Sequence, residues 1–538
     1  MKKEIFFDRN FYLELLKKHV KDFSEGYRQN LAFIGDELTG KTFLILYFLN
    51  KFIDNQILPI YISIKREDFK NFREKFIGSL LYSFLNNSGI ELKEDIDYLI
   101  NKAEAFIPHT VKKIKELRSI NRKKESIFLE LLSLCDILNK ETKKFCLVIF
   151  DEFQNLEVLG LKNLYKDWAK ILVLQKNTMF IIISSTPFKA KRILSSNLNL
   201  LFGKFELIEI EHFDYKTAKE FLVDRLNGLR LENKLMDFLI AISDGVPFYL
   251  KIIAESIYRM KDHFGSKDYI NNDSVFDILV DLLFEETGVL NQRFFGYLNN
   301  LAENSLNQDA IKILCCISCG YNRLKDIENI LHLQKKNILK ITQQLLQIDM
   351  ITKNGDFFKI NDRLFNLWLR IIYPKKSSGF DFHIKNQIGF CRKELEKVYN
   401  EFVKDLEKPI LERLIEIMHL FEDAYVNIDN KRVNLVSFRE IKPLTFEGAN
   451  IKEGLIARST DCLWIVAINP NPLKEKDVEE FSLLCSRYKE KKQRRIIVTA
   501  SQIDTNVRLK AMEEKIWLWE TKNLNLLCEL FNRVTILG

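Results

Sequence analysis

Between Leu31 and Phe48 the sequence reads LAFIGDELTGKTFLILYF, and no other stretch constrains the fold so tightly. Four apolar residues, Leu31 to Ile34, run into Gly35-Asp36-Glu37-Leu38-Thr39-Gly40-Lys41-Thr42, and a second apolar run, Phe43 to Leu49, follows directly. Gly-x4-Gly-Lys-Thr between a strand and a helix is the Walker A pattern in the context that makes it meaningful. The two glycines let the backbone curl so that successive N–H groups face a phosphate. A helix beginning near Lys41 adds its positive N-terminal end. Lys41 reaches the β- and γ-phosphates as a point charge, and the Thr42 hydroxyl is placed to ligate Mg²⁺. Gly35, Asp36, Glu37, Leu38, Thr39, Gly40, Lys41, Thr42 and Phe43 are the candidate nucleotide-binding residues, for ATP with Mg²⁺.

At 538 residues the chain is too long for one core, and three or four domains are expected. A net charge of +8 is small for this length: it permits a local nucleic-acid surface without demanding one. Nine cysteines are scattered without pairing pattern, as in a reducing compartment. Cys315, Cys316 and Cys319 cluster, but no second pair at zinc spacing follows, so they read as core thiols on a helix. No apolar run approaches the roughly 18 residues of a membrane span, and MKKEIFFDRN lacks a signal-peptide core. The expectation is a cytoplasmic protein with no membrane partner.

Ahead of the first strand, Phe6-Phe7-Asp8-Arg9 is placed to border a nucleotide base, with Arg9 the candidate contact; capping or packing explains it equally well. A second strand is expected at Pro59–Ile64, and helices fill 66–140. Among them Lys112 to Lys124 is strongly basic, a solvated helix face or a nucleic-acid contact. Phe145–Phe150 is apolar without alternation, as in a strand buried on both faces, and it ends in Asp151-Glu152-Phe153-Gln154. Carboxylates at such a strand end lie where an open α/β sheet holds its ligand. This is a Walker B pattern: Asp151 would hold Mg²⁺ and Glu152 would be the general base. Met179–Ile183 ends in Ser184-Ser185-Thr186, one of whose hydroxyls would meet the γ-phosphate or the water. Ser185 is the candidate, with Ser184 and Thr186 left open. A fifth strand at Glu206–Ile210 completes an α/β doubly wound parallel sheet, the P-loop NTPase architecture.

With these motifs, Leu201-Phe202-Gly203-Lys204 before the fifth strand and Asp244-Gly245-Val246-Pro247-Phe248-Tyr249-Leu250 later, residues 5–375 resemble the archaeal-type ATPases. These are relatives of the STAND and origin-recognition branches of the AAA+ class. The resemblance implies that Lys204 stands where relatives usually carry Arg, a candidate catalytic finger acting in trans. Lys keeps the charge but loses the planar fork. It implies that Pro247 belongs to a nucleotide-sensing lid, although a helix-to-helix turn reads the same way. Asp362, Trp368, Arg370 and Pro374 lie in the stretch that closes the resemblance.

Residues 1–212 are thus expected to be the ATPase core, 213–300 a helical lid, 301–375 a winged helix-turn-helix, and 385–538 a further α/β domain. For the third, helices at Ala310–Cys319, Leu324–Leu333 and Lys336–Ile348 precede Asn354-Gly355, the strongest short hairpin signal. Gln334, Lys335, Lys336, Asn337, Lys340 and Gln343 on its third helix suit phosphates and groove edges, so double-stranded DNA is one possible partner. Helix, strand, helix, strand after 385 is the plan of the restriction-endonuclease-like PD-(D/E)XK fold, which relatives of these ATPases often carry. Its acidic and basic site positions fall here on Asn434, Ala467 and Asn469, with Glu412, Glu440 and Lys442 the remaining candidates. Loss of the carboxylates predicts a domain that no longer cuts nucleic acid but offers a surface to a protein partner.

The expected function is a switch ATPase that binds and slowly hydrolyses ATP, its nucleotide state controlling homo-oligomer assembly or contact with a partner or DNA. The alternatives are an ATP-bound DNA-binding regulator with little turnover, and an ATP-gated nuclease.

Overall fold

A computed structural model describes residues 7–52, 54–86, 92–119, 123–198, 204–261, 269–303, 308–378, 384–429, 431–446, 451–490 and 492–535. Phe6, Arg122 and Leu201-Phe202-Gly203 lie outside the described residues. The chain divides into two compact units, Met1–Phe213 with Val246–Phe248, and Asp214–Gly245 with Tyr249–Gly538.

The first unit holds β1 (Asn30–Ile34), β2 (Ile57–Ser63), β3 (Phe145–Asp151), β4 (Thr178–Ser184) and β5 (Phe205–Glu209), in the order β2-β3-β4-β1-β5. All four pairings are parallel. Side chains alternate across a strand, so a sheet with apolar residues at every position buries both faces. Leu31 and Phe33 share one core with Leu44 and Phe48 of the helix Lys41–Lys51. Ala32 and Ile34 share the other with Phe72, Leu80 and Phe128. The edge strands depart from this pattern: Glu206, Leu207 and Glu209 of β5 are exposed, and Pro59, Tyr61 and Ser63 of β2 are half-buried. This is the doubly wound parallel sheet that the sequence predicts, with each strand boundary within two residues of expectation.

The second unit opens with helices at Tyr215–Leu226, Asn233–Ser243, Asn272–Leu283 and Val289–Glu303. Helices Gln308–Ser318, Leu324–Leu331 and Lys335–Gln347 then lead into a hairpin, β6 (Ile351–Asn354) with β7 (Phe357–Ile360), antiparallel about Asn354 and Phe357. After Arg363–Ile371 and the long helix Ile384–Glu407 comes a helix Ile410–Met418 and a second hairpin, β8 (Ala424–Ile428) with β9 (Lys431–Leu435). A five-stranded sheet follows: β10 (Glu440–Thr445), β11 (Glu453–Arg458), β12 (Leu463–Asn469), β13 (Gln493–Thr499) and β14 (Ile516–Glu520), in that order. Its first two pairings are antiparallel and its last two parallel.

Here the structure corrects the sequence reading. Asn434 lies on β9, whose hydrogen-bonded partner is β8, and not on a strand of the five-stranded sheet. The residue paired with Ala467 is Gly454 of β11. Strands β8, β10, β11 and β14 escaped the sequence reading. β10 reads Glu-Ile-Lys-Pro-Leu-Thr, a charged, proline-bearing edge strand with little apolar alternation to reveal it.

Candidate nucleotide-binding site

The P-loop is shaped by close backbone packing. A Cβ on Gly35 would lie 2.2 Å from the Ile210 carbonyl oxygen, so only glycine lets the loop leave β1 beside the end of β5. Gly40 has φ +89°, a left-handed conformation that turns the loop into its helix. Leu38 is also left-handed, with φ 67°. Thr39 closes the loop by donating from Oγ1 to the Asp36 carbonyl at 3.0 Å. Lys41 Nζ donates to the carbonyls of Gly35 at 2.9 Å and Asp36 at 2.6 Å, and to Thr39 Oγ1 at 3.1 Å. The ammonium is almost wholly buried, and burial pulls its pKa below the ordinary lysine value, partly offset by Glu152 and Asp36.

β4 lies between the P-loop strand β1 and the acidic strand β3, so the tips of three strands converge. Thr42 Oγ1 donates to Asp151 Oδ2 at 2.8 Å, joining residues 109 apart in sequence. Tyr61 on β2 donates to the same oxygen at 2.7 Å. A carboxylate beside a hydroxyl is the hard-oxygen set that Mg²⁺ takes, so Thr42 and Asp151 fit the ion. Glu152 follows in a left-handed conformation, φ 55°, which a non-glycine residue adopts only where its surroundings hold it. Its carboxylate accepts from Ser185 Oγ at 2.7 Å and from Gln154 Nε2. Burial raises its pKa above the ordinary carboxylate value, against the lowering effect of those two donors.

Arg9 closes the other side of the loop. Its guanidinium donates to the Glu211 carbonyl at 2.6 Å and the Thr39 carbonyl at 3.4 Å, and it lies 5.0 Å from the centre of the Phe213 ring. Phe7 meets the same ring edge-on at 6.2 Å. Arg9 and two aromatic rings therefore gather at the P-loop, where a base has flat apolar surface to rest on. His212 Nε2 lies 3.6 Å from Asp36 Oδ2. Phe43 is partly exposed beside Tyr47 on the P-loop helix. Pro247 is the first residue of the helix Pro247–Arg259, and Val246–Phe248 belongs to the compact unit that contains the P-loop.

Lys204 is exposed, and its carbonyl accepts from Gln29 at the N-terminal end of β1. The P-loop lies at the other end of that strand, about 17 Å away at 3.3 Å per residue. Lys204 therefore takes no part in its own chain's site. Of the basic run, Lys113, Lys115 and Arg118 are committed to Glu130, Glu104 and the pair Glu74 and Asp97. These three are a solvated, salt-bridged helix face. Sequence reasoning gave no role to Tyr61, Gln154 or Phe213. The only signal for Tyr61 was one polar atom inside the apolar run Pro59–Ile64.

In the second unit, Asn354 and Gly355 do not stand free. Asn354 Nδ2 donates to the Asn427 carbonyl at 3.1 Å and its Oδ1 accepts from the Asn427 N–H at 2.7 Å. Asp356 makes a matching pair with Tyr425, N–H to carbonyl at 2.9 Å and carboxylate from N–H at 2.8 Å. Phe357 lies in one core with Trp464 and Trp519. The hairpin tip is thus built against β8. By contrast Lys335, Lys336, Asn337, Lys340 and Gln343 are exposed, while Ile338, Ile341 and Leu345 hold their helix down. At the positions that the sequence reading set against a nuclease site, Asn434, Ala467 and Asn469 supply no charge. A side chain at Gly454 would meet the Val466 carbonyl at 2.2 Å and the Phe446 ring at 2.5 Å. Glu440 pairs with Lys442, and Glu412 is exposed on the helix Ile410–Met418.

No curated protein matches the chain. Among solved structures it is similar to the Walker-type ATPase of Pyrococcus abyssi, at 19% identity over 69% of this chain and 97% of that one, with a TM-score of 0.48. It is also similar to the ORC2 protein of Aeropyrum pernix, solved as ADPNP–ADP complexes, at 11% identity over 72% and 96%, TM-score 0.44. A third is the RuvB Holliday junction branch migration motor of Thermotoga maritima, at 13% identity over 68% and 96%, TM-score 0.31. Residues 6–253 match the family model described as an ATPase domain predominantly from Archaea. Residues 6–253, with their Walker A loop, Walker B acids and parallel sheet, are thus similar to an archaeal-type P-loop ATPase domain.

Proposed function

We propose that the protein is a Mg²⁺-dependent switch ATPase that turns over slowly, its nucleotide state controlling assembly or partner contact. The observation that carries this reading is the 2.8 Å hydrogen bond from Thr42 to Asp151, which brings the phosphate loop to the acidic strand. Gly35 to Phe43 bind the triphosphate, Lys41 neutralises its charge, and Arg9 with Phe7 and Phe213 borders the base. Thr42 and Asp151 hold Mg²⁺, which when bound screens the phosphate charge. Glu152 accepts a proton from the attacking water, and Ser185 with Gln154 fixes where its carboxylate points. Pro247 senses the nucleotide. Slow turnover is supported by Lys204: it lies at the end of β1 remote from its own P-loop, so it could serve only the site of a second copy, and a lysine lacks the bidentate fork of arginine.

ATP with Mg²⁺ should raise the melting temperature, since a ligand at 100 times its Kd adds about 2.7 kcal/mol to native stability. Lys41→Ala should lose that shift. A mutant that keeps it would end the assignment.

A second reading, duplex DNA contact by a winged helix over 301–375, is favoured by the exposed Lys335, Lys336 and Lys340. It is narrowed by the hairpin, whose tip is occupied by β8, so the helix face would have to bind alone. The 385–538 region reads as a nuclease-like domain without a nuclease site, and so as a surface for a protein partner.

A further inference from the structure

After Phe213 the chain rejoins the P-loop's compact unit for three residues only, Val246–Phe248, with Pro247 at their centre. Asp244 and Gly245 lead into this segment with left-handed backbones, φ 53° and 66°. Tyr249 leaves it in the first turn of the helix Pro247–Arg259. Both flanks are tied to one place, the start of the helix Arg363–Ile371. Tyr249 Oη donates to Asp362 Oδ2, joining residues 113 apart in sequence. The other Asp362 oxygen caps that helix by accepting from the Phe365 N–H at 2.9 Å. Arg363 Nε lies 2.9 Å from Asp244 Oδ1.

The same guanidinium also holds the far end of the chain. Its Nη2 donates to Glu529, and its Nη1 to Thr535 Oγ1 at 3.3 Å. Glu529 lies on the helix Thr521–Leu530 and accepts from Lys359 of β7 at 2.5 Å. Arg363 thus meets three segments at once: the flank of Pro247, the last helix and the last described residue. A planar fork of fixed donors can do this, and a lysine cannot. Asp244, Lys359, Arg363 and Glu529 are all half-buried, two cations against two carboxylates. Taking four charges out of water is costly, and apolar side chains of the same size could hold these segments as firmly. What the ion network adds is a defined geometry that is lost when one member is removed.

We infer, resting on Pro247 as the nucleotide sensor, that Arg363 is a positioning residue for nucleotide binding and that Glu529 makes the setting of Pro247 depend on the last helix. Arg363 and Glu529 act through the segment Asp244–Tyr249 and touch no nucleotide themselves. Occupancy of the P-loop and the state of the helix Thr521–Leu530 then share one coupling free energy, and each shifts the other by the same factor. A partner held by the 385–538 region would in this way be felt at the ATP site.

The test is calorimetric titration of the full chain with ADPNP and Mg²⁺, well below the melting temperature. Glu529→Gln keeps the shape of the side chain and removes its charge, and it should change the Kd roughly threefold or more. Arg363→Gln should do the same, and the double variant should change the Kd no further than Arg363→Gln alone. Lys408→Gln breaks another ion pair of the same unit, with Asp405 and Glu416, and should leave the Kd unaltered. In the parent chain, ADPNP with Mg²⁺ should change hydrogen exchange at the amides of Thr521–Leu530, and in Lys41→Ala it should not. That readout needs no variant of the ion network to fold. An unchanged Kd in both Glu529→Gln and Arg363→Gln overturns the inference, as do additive effects in the double variant or an equal change in Lys408→Gln. So does unaltered exchange in a parent chain that binds ADPNP. A parent chain that binds no ADPNP overturns the P-loop reading as well, so the two failures are told apart.

Discussion

At the scale of the residue, the ATPase site is a set of donors aimed at two carboxylates. Glu152 is held by Ser185 and Gln154 in a conformation that costs backbone strain. Glu152→Gln should retain ATP binding and lower hydrolysis roughly 10²–10⁴-fold, the usual share of a general base. Hydrolysis at the parental rate would assign the base elsewhere. Burial raises the pKa of Glu152, and a base acts only when deprotonated. Acidification should therefore cost turnover at a pH above the ordinary carboxylate range, and the kcat–pH profile measures this. Tyr61 supports Asp151 without being a candidate metal ligand itself. Tyr61→Phe should weaken Mg²⁺ dependence of ATP-induced stabilisation by about 10–100-fold, as loss of support behind a metal ligand does. An unaltered Mg²⁺ titration would leave Tyr61 a packing residue.

At the scale of the element, the hairpin of β6 and β7 carries a glycine for two separate reasons. Gly355 has φ +61°, and a Cβ there would lie 2.0 Å from the Tyr425 carbonyl oxygen. Left-handed strain alone costs about 1–2 kcal/mol, and the clash adds to it. Gly355→Ala should thus lower the melting temperature of the full chain, and a melting scan shows it. If DNA binds, the exposed helix face does the binding. Lys335→Glu with Lys336→Glu should flatten the salt dependence by about 0.9 in log–log slope for each phosphate no longer neutralised. Gel-shift titrations at several salt concentrations read the slope; parallel lines for parent and variant would remove this helix from the interface.

At the scale of the whole molecule, the second unit is one continuous construction from its first hairpin to its last helix. Phe357 packs with Phe531 at 5.4 Å, and Asn322 donates to the Leu530 carbonyl at 2.7 Å. Cutting the chain after Met418 would expose Phe357 and leave Arg363 without Glu529. The truncated protein should aggregate or melt without cooperativity, whereas an independent C-terminal domain would leave the remainder well folded. Purified full-length protein with Mg²⁺ or Mn²⁺ should leave single- and double-stranded DNA and RNA intact. A Cβ at Gly454 would lie 2.5 Å from the Phe446 ring, so no carboxylate can be placed there without moving a core aromatic. Cleavage abolished by Glu440→Gln or Lys442→Ala would instead promote the nuclease reading.

The sequence by itself determined the parallel sheet, the loop Gly35–Thr42 and the acids Asp151 and Glu152. Each of those signals is local: an unbroken apolar strand, then a polar tip whose residue types the phosphate chemistry restricts. It also determined the hairpin at Asn354-Gly355, because the turn demands those residues. The tertiary structure alone decided what the hairpin touches, since Tyr425 and Asn427 lie some seventy residues further on. It alone set Gly454 beside Ala467 and Tyr425 beside Asn434, because strand register depends on pairing energies that one strand's sequence does not contain. It alone set the Lys204 backbone beside Gln29, at the end of β1 remote from the P-loop. Long-range pairing brings such residues together, and no spacing along the chain records it.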